Sequence, residues 1–180
     1  MSVLTAAQIC SLARETAKCP GYTTQSGQLL NVILEELAQD YDFDVIKGSY
    51  SFSFNSVTGT GSGPYALPSD WYRGIDKDIL YTINGVPYPM VNISLTEYHN
   101  LVQQSGLASY PTAYATDMSQ SPPVMYVWPP ASGAYPWTVR YYPQMADIAT
   151  PESSTTVPWF PLQTYLITRL AGEMMRFTDD

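Results

Sequence analysis

A chain of 180 residues with a net charge of −8 and only eight Lys and Arg, scattered as Arg14, Lys18, Lys47, Arg73, Lys77, Arg140, Arg169 and Arg176, excludes sequence-specific nucleic-acid binding, which needs clustered cations to neutralise phosphates. Hydrophobic residues at 45% exclude wholesale disorder, and the length suits one good core or two small units sharing an interface. Fifteen prolines and fifteen tyrosines give extended and turning segments with large semi-polar side chains suited to contact surfaces, while an acidic surface remains suited to a channel through which nucleic acid slides without sticking.

The start, Met1-Ser2-Val3-Leu4-Thr5, has no basic n-region or apolar h-region, and nowhere do eighteen apolar residues run together, which reads as a soluble protein made in the cytoplasm with no membrane segment. Thr5-Ala6-Ala7-Gln8 is a capping-box pattern, so a first helix is expected from there to Lys18, with Ile9, Leu12, Ala13 and Thr16 along one side and Pro20-Gly21 as its stop. Cys10 and Cys19 are nine residues apart, roughly 13 Å along a helix at 1.5 Å per residue, and so read as two reduced structural thiols. A second helix is expected from Ser26 or Gly27 to about Tyr41, with Leu29, Leu30, Ile33, Leu34 and Leu37 as its apolar stripe.

The period then changes to two. Val45, Tyr50, Phe52 and Phe54, with serines between them, predict a half-buried strand. Thr58-Gly59-Thr60-Gly61-Ser62-Gly63 predicts a flexible loop, and 64–73 an extended, aromatic return. Ile79, Tyr81 and Ile83 face Val86, Tyr88 and Met90 across Asn84-Gly85, which accepts the positive φ angles of a type I′ hairpin turn. Ser94-Leu95-Thr96-Glu97, with Ile93 and Tyr98 as a staple, opens a short helix that Gly106 is expected to end. Segments 112–117, 124–128 and 137–142 predict three strands of an antiparallel meander, and the polar run 150–156 leads to the last element. There, 157–177 predicts a proline-initiated helix with Leu162, Leu166, Leu170 and Met174 as one strip, widened by Tyr165 and Phe177, and Ile167, Ala171 and Met175 as a second. The fold class is therefore α+β: a small helical bundle from 1–43 and 157–180, two N-terminal helices plus one C-terminal helix, carrying an antiparallel β-rich insertion, 44–156, with a short helix in it.

No catalytic, metal or cofactor constellation emerges. Asp40, Asp42 and Asp44 begin like a calcium loop, but Val45 stands where glycine is needed and Ser51 where the bidentate glutamate belongs. Gly59, Gly61 and Gly63 are followed by Pro64 and open no helix that would present amides to a phosphate. His99 is the only histidine, which precludes a histidine-pair metal site, and no G-x-S-x-G elbow accompanies it. Glu35 and Glu36 are adjacent on a helix and point about 100° apart, unlike paired catalytic carboxylates. Arg169 and Glu173, four apart, form either a surface pair or a contact between subunits. Among the aromatics, Trp137, Val139 and Tyr141 share one strand face as core, leaving Trp128, Tyr135 and Tyr142 as candidate contact residues or a sugar-stacking platform.

Several segments in order carry a resemblance: Leu67-Pro68-Ser69-Asp70-Trp71-Tyr72-Arg73, Ile83-Asn84-Gly85-Val86-Pro87, Leu95-Thr96-Glu97-Tyr98, Tyr110-Pro111-Thr112-Ala113-Tyr114-Ala115, Val127-Trp128-Pro129-Pro130 and Val157-Pro158-Trp159-Phe160-Pro161. Taken together they resemble the head-to-tail adaptor (connector, head-completion) proteins of tailed bacteriophages. The resemblance implies a structural virion protein without catalysis, placed in the neck between head and tail. It implies a homo-oligomeric, usually twelvefold ring that extends the portal protein, docks the tail, nozzle or tail-fibre proteins, and lets genomic DNA pass through its lumen. It also offers a use for the second strip of the last helix, so Ile167, Ala171 and Met175, with Arg169 and Glu173, are expected to face a neighbouring subunit, and Trp128, Tyr135 and Tyr142 a partner. Family members generally continue past the equivalent of the last helix to reach the portal, whereas this sequence stops at Asp180, which implies either a fragment or a different grip on the portal. A carbohydrate-binding or tail-fibre attachment β module is the alternative that the Tyr and Trp residues suggest.

Overall fold

The computed structural model describes residues 3–54, 63–104 and 108–177, of which 76–78 by backbone alone. It divides into a helical unit, Met1–Ile46 with Met145–Asp180, and a β unit, Lys47–Gln144. Residues 44–46 and 145–156, assigned to the insertion from sequence, thus sit with the helices.

In the helical unit, Thr5 opens α1 (Ala6–Ala17) with a complete capping box: its hydroxyl accepts from the Gln8 N–H at 3.4 Å and its own N–H donates to Gln8 Oε1 at 2.9 Å. Lys18, at φ 58°, ends the helix in the left-handed region. The second helix, α2 (Thr23–Asp40), begins earlier than Ser26, without a side-chain cap at Tyr22. Ser26 is instead buried inside the helix, its hydroxyl donating back to the Thr23 carbonyl at 2.6 Å.

The C-terminal helix, α4 (Gln163–Arg176), does not start at Pro158. Pro161 disfavours helical dihedrals at Phe160, so no helix can run through that pair, and the Gln163 N–H closes on the Pro161 carbonyl at 3.1 Å. Phe160 is drawn into the core, whereas Leu162, expected on the buried strip, falls outside the helix and is 64% exposed. Each of α1, α2 and α4 packs on the other two, and Ile9, Ala13, Leu30, Ile33, Leu34, Leu37, Leu166, Leu170, Ala171 and Met174 fill the space between them. The strap from 145 to 162 is bound to these helices through main chain: Thr156 and Ser154 carbonyls accept from the Ala6 and Ala7 N–H groups, two of the orphan donors of the first turn. Gln163 pairs with both main-chain groups of Leu4.

The β unit holds β1 (Gly48–Ser53), β2 (Tyr65–Ala66), β3 (Trp71–Ile83), β4 (Val86–Pro89), β5 (Val91–Asn92), α3 (Leu95–Val102), β6 (Ala113–Asp117), β7 (Val124–Trp128) and β8 (Pro136–Pro143). One sheet runs β1-β8-β3-β4 and the other β2-β7-β6-β5. Three expectations are corrected here. Only β6 and β7 form the predicted meander; β8 crosses to the other sheet and lies between β1 and β3, since the 129–135 connection is too long for a tight hairpin. The pair β5–β6 is parallel, in an otherwise antiparallel pattern. Val45 belongs to a 3-10 turn, Asp44–Ile46, and not to a strand. The hairpin at Asn84-Gly85 has φ 50° and 82° there and pairs Ile83 with Val86 and Tyr81 with Tyr88.

Alternation in β8 buries Trp137, Val139 and Tyr141 against Trp71, Ile79 and Tyr81 of their own sheet, Phe54 just past β1, and Tyr65, Tyr114, Met125 and Val127 of the other sheet. Ser94 caps α3 by accepting from the Glu97 N–H at 3.1 Å, and the helix lies on β6 and β7 with Tyr98 stacked on Tyr126 at 5.0 Å. The predicted glycine loop at 58–62 and the stop at Gly106 lie outside the described residues.

Candidate assembly interfaces

On α4 the two predicted strips meet two internal neighbours. Leu166, Leu170 and Met174 are fully buried, and Ala171, expected to face a second subunit, is buried as well at 2% exposure. That expectation is corrected for Ala171: a helix packed on both α1 and α2 buries part of its second strip within its own subunit. Ile167 is half-buried against the same core. Met175, at 41%, is the exposed member of that set, and Tyr165 and Phe177 elsewhere on the helix are exposed as well.

A charged seam runs along another side of α4. Arg169 reaches Glu173 at 3.0 Å and Glu36 of α2 at 3.5 Å, and Arg176 reaches Glu173 at 3.2 Å. Arg169, Glu36 and Arg176 are well exposed, with Glu173 less so, and such pairs contribute only about 0.2–1 kcal/mol each. Their arrangement leaves both signs available on one face. Beside it Phe177, Val32, Leu29 and Tyr22, with Gln25 and Gln28, line a mostly apolar groove of about 420 Å³. Sequence reasoning missed this groove; its signal was Val32, an apolar residue of α2 outside the buried stripe.

In the β unit Tyr142 is also corrected. It is 3% exposed, with the Arg73 guanidinium 4.4 Å from its ring centroid and Lys47 Nζ at 5.8 Å, which removes it from any open aromatic platform. Trp128 and Tyr135 are half-buried. The Tyr135 hydroxyl is 3.0 Å from that of Ser132, and its ring lies 5.8 Å from Tyr81 and 5.6 Å from Tyr110. A more open set lies on the β3–β4 hairpin and after it, at Val86, Tyr88 and Val91.

Several titratable groups are held by their local surroundings. Burial pushes the Cys10 thiol up, outweighing the lowering by Ser26 and Arg14, so it stays protonated at neutral pH; Cys19 is likewise free and buried. Tyr141 donates to Asp70 Oδ1 at 3.0 Å while stacked on Trp71 at 5.0 Å, and burial together with that acceptor pushes its hydroxyl up to about 12. Asp117 is held low by the hydroxyl and N–H of Ser119 in a local turn. His99 is exposed on α3. Among the described residues no three His, Cys, Asp or Glu side chains gather as a metal site, and no helix is long and apolar enough to cross a membrane.

The described residues thus form a helical unit and a two-sheet unit, with apolar and charged side chains exposed on α2 and α4. The sequence model of the SU10 adaptor protein family matches residues 4–180, and the chain belongs to that family of structural phage proteins, which act through other virion components. No curated protein matches the chain.

Proposed function

We propose that the chain assembles as a homo-oligomeric ring, twelvefold, beneath the portal in the virion neck, joining the head to the tail or nozzle and continuing the DNA channel. The observation that carries this reading is the match to the adaptor family over nearly the whole chain, bundle and β unit together. Two features support it. The face of α4 and α2 that the subunit leaves open offers paired charges of both signs beside an apolar groove, the mixture that contacts between copies use. With a net charge of −8 on the whole chain, DNA would pass a lumen of such subunits without adhering. In this reading Ile167, Arg169, Glu173 and Met175 line the contact between neighbours, and Trp128 and Tyr135 the approach of a tail component.

Electron microscopy of the purified protein mixed with its portal and tail proteins tests it. Closed rings seated on portal particles are the expected result. A protein that stays monomeric and decorates no portal would overturn it.

A further inference from the structure

The two sheets have four edges, and their main-chain donors differ sharply. Hydrogen-bonded pairs alternate along each antiparallel ladder, so every second residue of an edge strand turns its N–H and C=O outward. In β4 the Met90 N–H bonds Ile79 and the register pairs Tyr81 with Tyr88, which places the outward positions at residues 87 and 89. Both are proline, so that edge has no donors to offer. In β2 the Leu67 N–H bonds the Pro123 carbonyl, which turns 64, 66 and 68 outward; Pro64 and Pro68 flank Ala66 and leave one donor. In β5 the Val91 and Ile93 N–H groups bond Thr112 and Tyr114, and the Met90 N–H is taken by Ile79, so Asn92 stands alone.

The edge at β1 is different. The Phe54 N–H bonds the Tyr135 carbonyl, in register with Phe52–Trp137 and Tyr50–Val139, so Ser49, Ser51 and Ser53 turn their main-chain groups outward. None is proline, none carries a charge, and all three are exposed. Natural sheets close such an edge by the devices seen at the other three; here it is left open.

We propose that β1 is a strand-addition site, and that an extended segment of another virion protein pairs with it and adds a fifth strand to that sheet. This rests on the adaptor reading. A neighbouring copy in a head-to-tail ring contact would have to offer a complementary edge, and among the described residues the three remaining edges offer at most one outward donor each. The surroundings define the segment's chemistry. On one face Ser49 and Ser51 stand beside Arg140 and Thr138 of β8, with the Ser51 and Thr138 hydroxyls 3.0 Å apart. Arg140 is exposed and takes part in no ion pair among the described residues, so the incoming strand carries a carboxylate on that face. On the other face Tyr50, 37% exposed, and the half-buried Phe52 call for apolar side chains. The segment therefore alternates apolar and small polar or acidic residues, the pattern of β-augmentation.

Amide hydrogen exchange on the isolated protein and on assembled neck particles is the test. The Ser49, Ser51 and Ser53 amides are expected to exchange freely in the isolated protein and at least tenfold more slowly in the particle. Ser51→Pro is expected to leave the thermal transition close to wild type, since that N–H is outside the β1–β8 ladder, and to abolish the protection and the attachment. Phe52→Pro breaks the ladder itself and marks what misfolding looks like. Particles that contain the wild-type protein with all three amides still fast overturn the strand addition and leave the adaptor reading standing; a protein that never enters a particle overturns both. Dimerisation of the isolated protein that Ser51→Pro abolishes overturns the assignment to a different virion protein in favour of a second copy.

Discussion

Replacing Asn31 with alanine removes a side chain that acts as a piece of main chain. Its Nδ2 donates to the Ile148 carbonyl and its Oδ1 accepts from the Ile148 N–H, each at 3.1 Å, so one carboxamide satisfies both backbone groups of a residue 117 positions away. Ile148 lies in the strap that closes the helical unit and packs its side chain on the core. Two neutral hydrogen bonds contribute about 0.5–1.5 kcal/mol each, so Asn31→Ala should cost the helical unit about 1–3 kcal/mol. For a unit of this size each kcal/mol moves the midpoint by about 4–8 °C, which calls for a fall of roughly 4–24 °C in the transition assigned to the helices. Asn31→Asp refines the test. It keeps the acceptor for the Ile148 N–H but sets a carboxylate against the Ile148 carbonyl, so it should be at least as costly at pH 7 and recover when the acid protonates below about pH 4. Circular dichroism melts of the variants, with exchange of the Ile148 amide, supply the readout. An Asn31→Ala variant within about 0.3 kcal/mol of wild type, below even one such bond, would refute the strap as a fixed part of the unit.

Leu170→Ala, at a position with no exposed surface, should cost about 2–5 kcal/mol in denaturant unfolding, while Leu162→Ala, outside α4 and 64% exposed, should stay within about 0.5 kcal/mol; equal effects would refute the placement of the helix start. Gly27→Leu should destabilise the helical unit by about 1–3 kcal/mol although leucine is the better helix former, because a Cβ there meets the Glu152 carboxylate and lies 3.1 Å from Pro151 Cδ; a more stable variant would show that the strap does not lie against α2. Tyr141 has its hydroxyl raised to about 12 in the fold, against about 10 in an unfolded chain, so its contribution is complete below pH 10 and is lost as pH rises from 10 to 12. The stability gap between wild type and Tyr141→Phe should therefore narrow over that window in urea titrations, and a constant gap would refute the buried bond to Asp70.

Period and caps made most of the elements legible. Thr5 with Gln8, Ser94 with Glu97, and Asn84-Gly85 each encode a local geometry, and the structure uses each as the residue types require. What stayed hidden depends on distant partners. Gly27 reads as a helix start because glycine is a poor helix former, yet it lies within α2, where the missing side chain admits Pro151 and Glu152. The place of β8 between β1 and β3 is fixed by which faces bury Trp137 and Val139, and alternation states that a face is buried without saying against what. The strap at 145–156 has no period at all, since main-chain and carboxamide hydrogen bonds hold it to the helices.

The candidate contacts were less legible for a related reason. An apolar strip on a helix reports burial, and the number of strips reports the number of neighbours, but neither distinguishes a neighbour in the same chain from one in another copy. The first strip of α4 and Ala171 of the second are buried within the subunit, so Ala171 gives no argument for oligomerisation. The argument moves to side chains that break the pattern: Phe177 at 60% exposure beyond the helix end, Val32 at 49% on the wrong side of α2, and Arg169 spanning Glu36 and Glu173 beside them. Large apolar groups left uncovered on a chain with so few charges lower solubility, a cost that contact with another virion protein would offset. The same logic picks out β1, where the informative residues are serines and what matters is the absence of the proline that blunts the neighbouring edges.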